Sequence, residues 1–241
     1  MTIRETLLEA LGKRDAPVRE VRIGLCVAGV WSRRLGLAYV FPRDAIAHGD
    51  DPGTDATPLG GRSARELAGL ALADDVTRAA VGVAAINSLL DPPERLEDRH
   101  ALDVILEYGR DREVTLVGHF PFTVRLREGT RRLNVLELYP REGDLPASAA
   151  ARVIPRSDVV AITASTLING TLDGLLELAR GKPVILIGPT TPLAPVLLEH
   201  GVTALCGSTV TDPDAALRAL SEGVGFRRLP GLRRVVLRAN G

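Results

Sequence analysis

Apolar and polar positions alternate early in the chain. Val21, Ile23, Leu25 and Val27 interleave with Arg22, Gly24, Cys26 and Ala28, the period of a strand with one buried face. The polar turn Ser32-Arg33-Arg34 leads into a second alternating run through Leu35, Leu37, Tyr39 and Phe41, so an antiparallel pair is expected. Before it, MTIRETLLEALGKRD reads as an amphipathic helix. Residues 42–61 are too dense in Pro, Gly and Asp for regular structure. Loops that long in compact domains are usually functional or mobile, and this one is expected to border a ligand site. Ser63-Ala-Arg-Glu66 is a capping box that starts a helix. A longer helix over 76–90 places Ala80, Val83, Asn87 and Leu90 on one face and stops at Asp91-Pro92-Pro93. Strands followed by helices make residues 1–97 a small α+β domain.

From residue 98 the rhythm changes. A helix through Leu102, Ile105 and Leu106 ends at Gly109. Five apolar strand candidates then recur at 114–118, 133–138, 158–163, 184–188 and 203–206. Several lack alternation, as strands buried on both faces do. The segments between them carry helix signals: Thr171 as a cap, Gly181 and Gly201 as stops, and Asp212-Pro213 as a start. Residues 98–241 therefore predict an α/β domain, a Rossmann-like doubly wound parallel sheet. The short connection from Leu138 to Asp158 predicts strand order 2-1-3-4-5, which reverses between the strands at 114 and 158. Ligands bind such sheets outside the carboxyl ends, at that reversal.

Composition narrows the partners. Thirty basic and thirty acidic residues cancel, so the electrostatic footprint of nucleic-acid binding is absent. Only Lys13 and Lys182 are lysines, and neither sits where burial would lower its pKa for Schiff-base chemistry. Cys26 and Cys206 lie apart in apolar runs, the usage of a reducing compartment. No CxxC pair signals a structural zinc. Neither a signal-peptide core nor a membrane-length apolar run is present. A cytoplasmic protein without a membrane partner is expected; homo-oligomerisation stays open.

Two loops should converge at the sheet reversal, Gly118-His-Phe-Pro-Phe122 and Thr163-Ala-Ser-Thr-Leu-Ile-Asn-Gly-Thr171. In the second, Thr163, Ser165, Thr166, Asn169 and Thr171 lie between a buried strand and a helix start, which suits a polar or anionic ligand. The bland alternative is a loop whose side chains serve only the backbone. His119 is placed at the crevice for acid–base work, metal ligation or ligand hydrogen bonding, with a satisfied core histidine as the alternative. Glu137 lies nineteen residues after Gly118, near the offset at which an acid grips a ribose. GHFPF is not GxGxxG, so NAD is disfavoured. Gly188, Pro189 and Thr191 reach the same edge. Asn87, on an apolar helix stripe, either satisfies local backbone or faces across to the second domain.

The runs Asp158–Thr171, Ile187-Gly-Pro-Thr-Thr-Pro192 and Gly207-Ser-Thr-Val-Thr-Asp-Pro213, with Gly118–Phe122 and Glu137, resemble the putative heavy-metal chelation domain family. The part before them looks like the enolase-N-terminal-like domain that accompanies it. The resemblance implies a Rossmann-like domain with a site at the domain interface, and brings no established reaction. It points to a small polar or anionic ligand, a heavy metal or a metal-chelate, bound by a binding protein or enzyme. Its lining would include Gly118, Phe120, the loop hydroxyls and Asn87, with His119 and Glu137 as metal or catalytic groups. The alternative is a nucleotide- or S-adenosylmethionine-dependent enzyme using Glu137 on a ribose. The C-terminal arginines (Arg227, Arg228, Arg233, Arg234, Arg238) read by default as a solvated tail.

Overall fold

The computed structural model describes residues 1–41 and 58–239. Most of the 42–61 loop, residues 42–57, lies outside the described residues. Helix α1 (Ile3–Ala10) opens with a capping box between Thr2 and Glu5. The first alternating run forms two strands rather than one. β1 (Glu20–Ile23) and β2 (Val27–Trp31) pair antiparallel around a turn at Gly24, and β3 (Leu35–Tyr39) adds to β2. The alternation persists across that turn, so periodicity alone conceals the break. The Ser63 capping box is formed in full and starts α2 (Ala64–Ala68), followed by α3 (Val76–Leu89).

Helix α3 packs on one face of this small sheet at very close range. A Cβ on Gly36 of β3 would stand 2.1 Å from the Ala84 carbonyl oxygen, so only glycine lets the two backbones meet. The other face, with Val27, Leu35 and Leu37, is covered by α9 (Pro213–Ser221) through Ala216, Leu217 and Leu220. Each of those leucines contributes roughly 1.5–3 kcal/mol by burial. The small sheet is thus closed by a helix from the far end of the chain.

The second sheet has seven strands in the order β10-β9-β8-β7-β4-β5-β6. They are β4 (Glu113–Val117), β5 (Arg132–Glu137), β6 (Leu145–Pro146), β7 (Val159–Thr163), β8 (Val184–Ile187), β9 (Ala204–Val210) and β10 (Leu232–Arg238). All neighbours are parallel except β10, which runs antiparallel to β9. The five expected strands take the expected order, with the reversal between β4 and β7. Strands β6 and β10 are additions at the two edges. The stretch read as a solvated tail therefore contains an edge strand, in which Val235, Val236 and Leu237 are buried.

Successive strand residues face opposite layers. Val159, Ala161, Ile185 and Ile187 pack with α4 (Ala101–Gly109) and α5 (Thr123–Glu128). Val160, Ile162, Val184 and Leu186 pack with α6 (Ala150–Val153), α7 (Leu172–Leu178) and α8 (Val196–Glu199). The second cluster runs on without a gap into Leu7, Val83, Ile86 and Leu89 of the N-terminal helices. Among the described residues no helix is long and apolar enough to cross a membrane.

Candidate functional site

The carboxyl ends of β4, β5, β7 and β8 open into a cleft of about 1240 Å³. Gly118, which follows β4, has φ +96°, and a Cβ there would sit 3.1 Å from the Thr163 side chain. Glycine lets the loop turn across the sheet reversal so that His119 and Phe120 enter the cleft. Of the residues expected at the site, Gly118, His119, Phe120, Glu137, Thr163, Ser165, Thr166, Asn169, Thr171, Gly188 and Pro189 line it together. Thr191 and Asn87 do not. Thr191 is buried, and Asn87 donates from Nδ2 to the carbonyls of Leu37 and Thr190, each at 3.0 Å. It satisfies backbone of the small sheet and of the β8 loop at once.

Much of the loop polarity is spent locally. The Thr166 hydroxyl donates to the Thr163 carbonyl at 2.7 Å. Thr163 and Ser165 share a hydrogen bond at 3.0 Å. Asn169 Oδ1 accepts from the Thr171 amide and hydroxyl, so Thr171 donates its hydroxyl to Asn169 and does not cap α7 with it. Glu137 is braced in the same way: Oε1 accepts the His119 amide at 2.6 Å and Oε2 the Leu138 amide at 3.0 Å. The imidazole of His119 meets a different acid. Its Nδ1 lies 3.2 Å from Oδ2 of Asp144, whose side chain is 1% exposed. Asp144 also accepts the Arg141 amide at 3.2 Å. A buried carboxylate holding Nδ1 leaves Nε2 to give or take a proton in the cleft. Asp144 lies in the Pro/Gly loop before β6, and sequence periodicity carries no sign of it.

The remaining lining sets the electrostatics. Among the described residues, Arg99, Arg125, Arg141, Arg227 and Arg234 all reach the cleft, against one lining acid, Glu137. Arg99 pairs with Glu97 and Glu107. The other four form no ion pair among the described residues. Two of them, Arg227 and Arg234, come from the stretch read as a solvated tail. His100 is a second cleft histidine. Its Nδ1 accepts the Leu102 amide at 3.1 Å, capping α4. Burial, together with the nearby Arg234 and Arg125, lowers its pKa, against an opposing pull from Asp103. The apolar wall is aromatic: Phe120 and Phe122 stack at 5.2 Å, and Tyr39 and Phe41 meet edge-on at 5.2 Å beyond β3.

A bare heavy-metal ion fits this lining poorly. Among the described residues no three His, Cys, Asp or Glu side chains gather as a ligand set. Burial pushes the Cys206 thiol up to about 12, so the one cleft cysteine stays a thiol, whereas soft metals bind thiolate. Both Glu137 oxygens already accept amides. His119 offers one nitrogen.

Several known proteins resemble this chain in sequence or fold. The crystal structure of a protein with unknown function from the DUF364 family of Desulfitobacterium hafniense DCB-2 superposes with TM-score 0.84 at 28% identity, over 98% of this chain and 97% of that one. A DUF364-family protein of unknown function from Pyrococcus horikoshii superposes with TM-score 0.80 at 23% identity, over 98% of each chain, and shows the fold alone. The uncharacterized protein MJ0500 of Methanocaldococcus jannaschii is 27% identical over 194 residues, 77% of this chain and 73% of that protein. The DUF4213 family model matches residues 4–90 and the DUF364 model residues 100–238, both described as putative heavy-metal chelation. On those matches the chain belongs to the DUF364 family of putative heavy-metal chelation proteins.

Proposed function

We propose that this protein binds a small, multiply anionic metal–chelate complex in the cleft between its two sheets. The observation that carries the reading is, among the described residues, the set of four arginines without ion pairs, Arg125, Arg141, Arg227 and Arg234, around a single acid, Glu137, whose oxygens both accept amides. A cationic cleft repels a bare metal ion and concentrates anions. A chelate brings its own donor atoms, so the protein need only recognise carboxylate or phosphate oxygens, which guanidinium groups grip in pairs. The metal is then cargo held by its chelator. The Phe120–Phe122 stack and the Tyr39–Phe41 pair supply apolar surface for the chelator's carbon frame. In this reading His119, oriented by Asp144, moves a proton to or from a ligand donor atom.

Calorimetric titration of the full chain tests this with zinc–EDTA and iron(III)–citrate against zinc chloride, and with uncharged adenosine for the nucleoside alternative. Both chelates should bind. Arg125→Gln and Arg234→Gln should each weaken them about tenfold, the factor a charge-assisted hydrogen bond contributes. Free zinc binding tighter than either chelate would sink the proposal. Adenosine binding that depends on Glu137 would favour the ribose reading instead.

A further inference from the structure

A second concentration of positive charge lies in a pocket that shares no lining residue with the cleft. Strand β6 pairs with β5 only at Leu136 and Glu137, so the first residues of β5 have no strand on their outer side. Beside that open edge is a pocket of about 480 Å³ ringed by Arg127 on α5, Arg131 and Arg132 at the start of β5, and Arg152 and Arg156 on and after α6. Edge arginines have an ordinary role in blocking strand pairing between molecules. That role needs charge but not a concavity, and this volume falls within the range of small-molecule sites.

Local acids do not balance these arginines. Glu113, the one acid in the lining among the described residues, accepts from Asn134 Nδ2 at 2.9 Å and lies 4.0 Å from Arg132. Asp158 accepts the Glu113 amide at 2.8 Å and meets Arg131 at 3.4 Å. Arg127 donates to the Leu133 carbonyl at 3.3 Å. Arg152 and Arg156 form no ion pair among the described residues. The whole chain has a formal net charge of zero, so this excess is local. Guanidinium groups sharing one pocket repel one another, and a bound anion relieves that repulsion. We infer that the open edge of β5 carries a second anion site. It takes a compact, multiply charged small molecule whose phosphate or carboxylate oxygens are held by Arg127, Arg132, Arg152 and Arg156.

The test uses the full chain carrying Arg125→Gln and Arg234→Gln, so that success or failure of the cleft reading does not enter. Tripolyphosphate and citrate are titrated calorimetrically at low ionic strength, alongside a twenty-nucleotide single strand of about the length several single-strand-binding folds cover. Saturable one-to-one binding of tripolyphosphate or citrate is expected, and whichever binds tighter identifies the oxygen type. Adding Arg152→Gln and Arg156→Gln should weaken it by about tenfold per guanidinium removed. Both side chains are exposed, so the fold should survive, and Arg152→Lys with Arg156→Lys should restore part of the affinity by returning charge without the bidentate fork. No saturable binding, or binding indifferent to Arg152 and Arg156, overturns the inference. Tighter binding of the oligonucleotide than of tripolyphosphate also overturns it, in favour of a nucleic-acid surface.

Discussion

Replacing Glu137 with Gln separates a brace from a ligand contact. In the structure the carboxylate accepts two main-chain amides, His119 at 2.6 Å and Leu138 at 3.0 Å, and so ties the loop after β4 to the end of β5. Glutamine keeps one oxygen. Its NH₂ group then faces the second amide, donor against donor. One charge-assisted hydrogen bond is lost and a partly buried amide is left without an acceptor, which together cost about 2 kcal/mol. For a chain of this size, at about 2–4 °C per kcal/mol, Tm should fall by about 4–8 °C. Differential scanning calorimetry of Glu137→Gln against the wild type reads this directly. Zinc–EDTA affinity, measured well below both transitions, should change by less than about threefold, because no ligand bond is removed. An unchanged Tm with a large loss of chelate or adenosine affinity would refute the reasoning and place the carboxylate on the ligand.

Other substitutions probe the frame around the site. Gly36→Ala forces a methyl group against the Ala84 carbonyl and the Ser88 amide; overpacking of about 1–3 kcal/mol or more should lower the urea midpoint with the m-value unchanged. Asn87→Ala strands the Leu37 and Thr190 carbonyls and should cost about 1–3 kcal/mol in the same assay. Glu107 is held down to about 2 from its ordinary 4.5, first by hydrogen bonds from Arg238 and Arg99. Its folded-state pKa is depressed, so its contribution is full above 4.5 and fades as pH falls from 4.5 to about 2. Because the Glu107 side chain is 42% exposed, solvent screening keeps the effect modest. Acid titration of Glu107→Gln should show a shallower stability loss across that window, and identical wild-type and variant slopes would remove Glu107 from the acid response.

The framework of the larger sheet was legible because its strands are uninterrupted apolar runs separated by helices with clear start and stop signals. Strand order followed from the shortness of the 138–158 connection. The loops flanking the reversal could be named for the same reason. The split of β1 from β2 was not legible, since Gly24 sits within an alternation that continues across the turn. Strand β10 was hidden by Arg233, Arg234 and Arg238, which read as a charged tail although Val235, Val236 and Leu237 between them are buried. Arg233 instead pairs with Asp98, and Arg238 with Glu97 and Glu107. The cationic lining was not legible because its arginines come from α5, the β5–β6 loop, the turn after α9 and β10, and a local charge excess assembled by folding leaves no run in the sequence. His119 and Glu137, both expected at the site, are joined through the main chain: the acid takes the histidine's amide, while Asp144 takes its ring.

The cover that α9 gives to the small sheet has a consequence for synthesis. Val27, Leu35 and Leu37 leave the ribosome well before Leu220, which shields them and lies 183 residues beyond Leu37. At translation rates of about 5–20 residues per second that delay is about 10–35 s. Through that interval the nascent sheet has α3 against one face and none of its native cover on the other. Chains stalled before residue 213 should therefore associate with holdase chaperones, and release from them should coincide with the docking of α9.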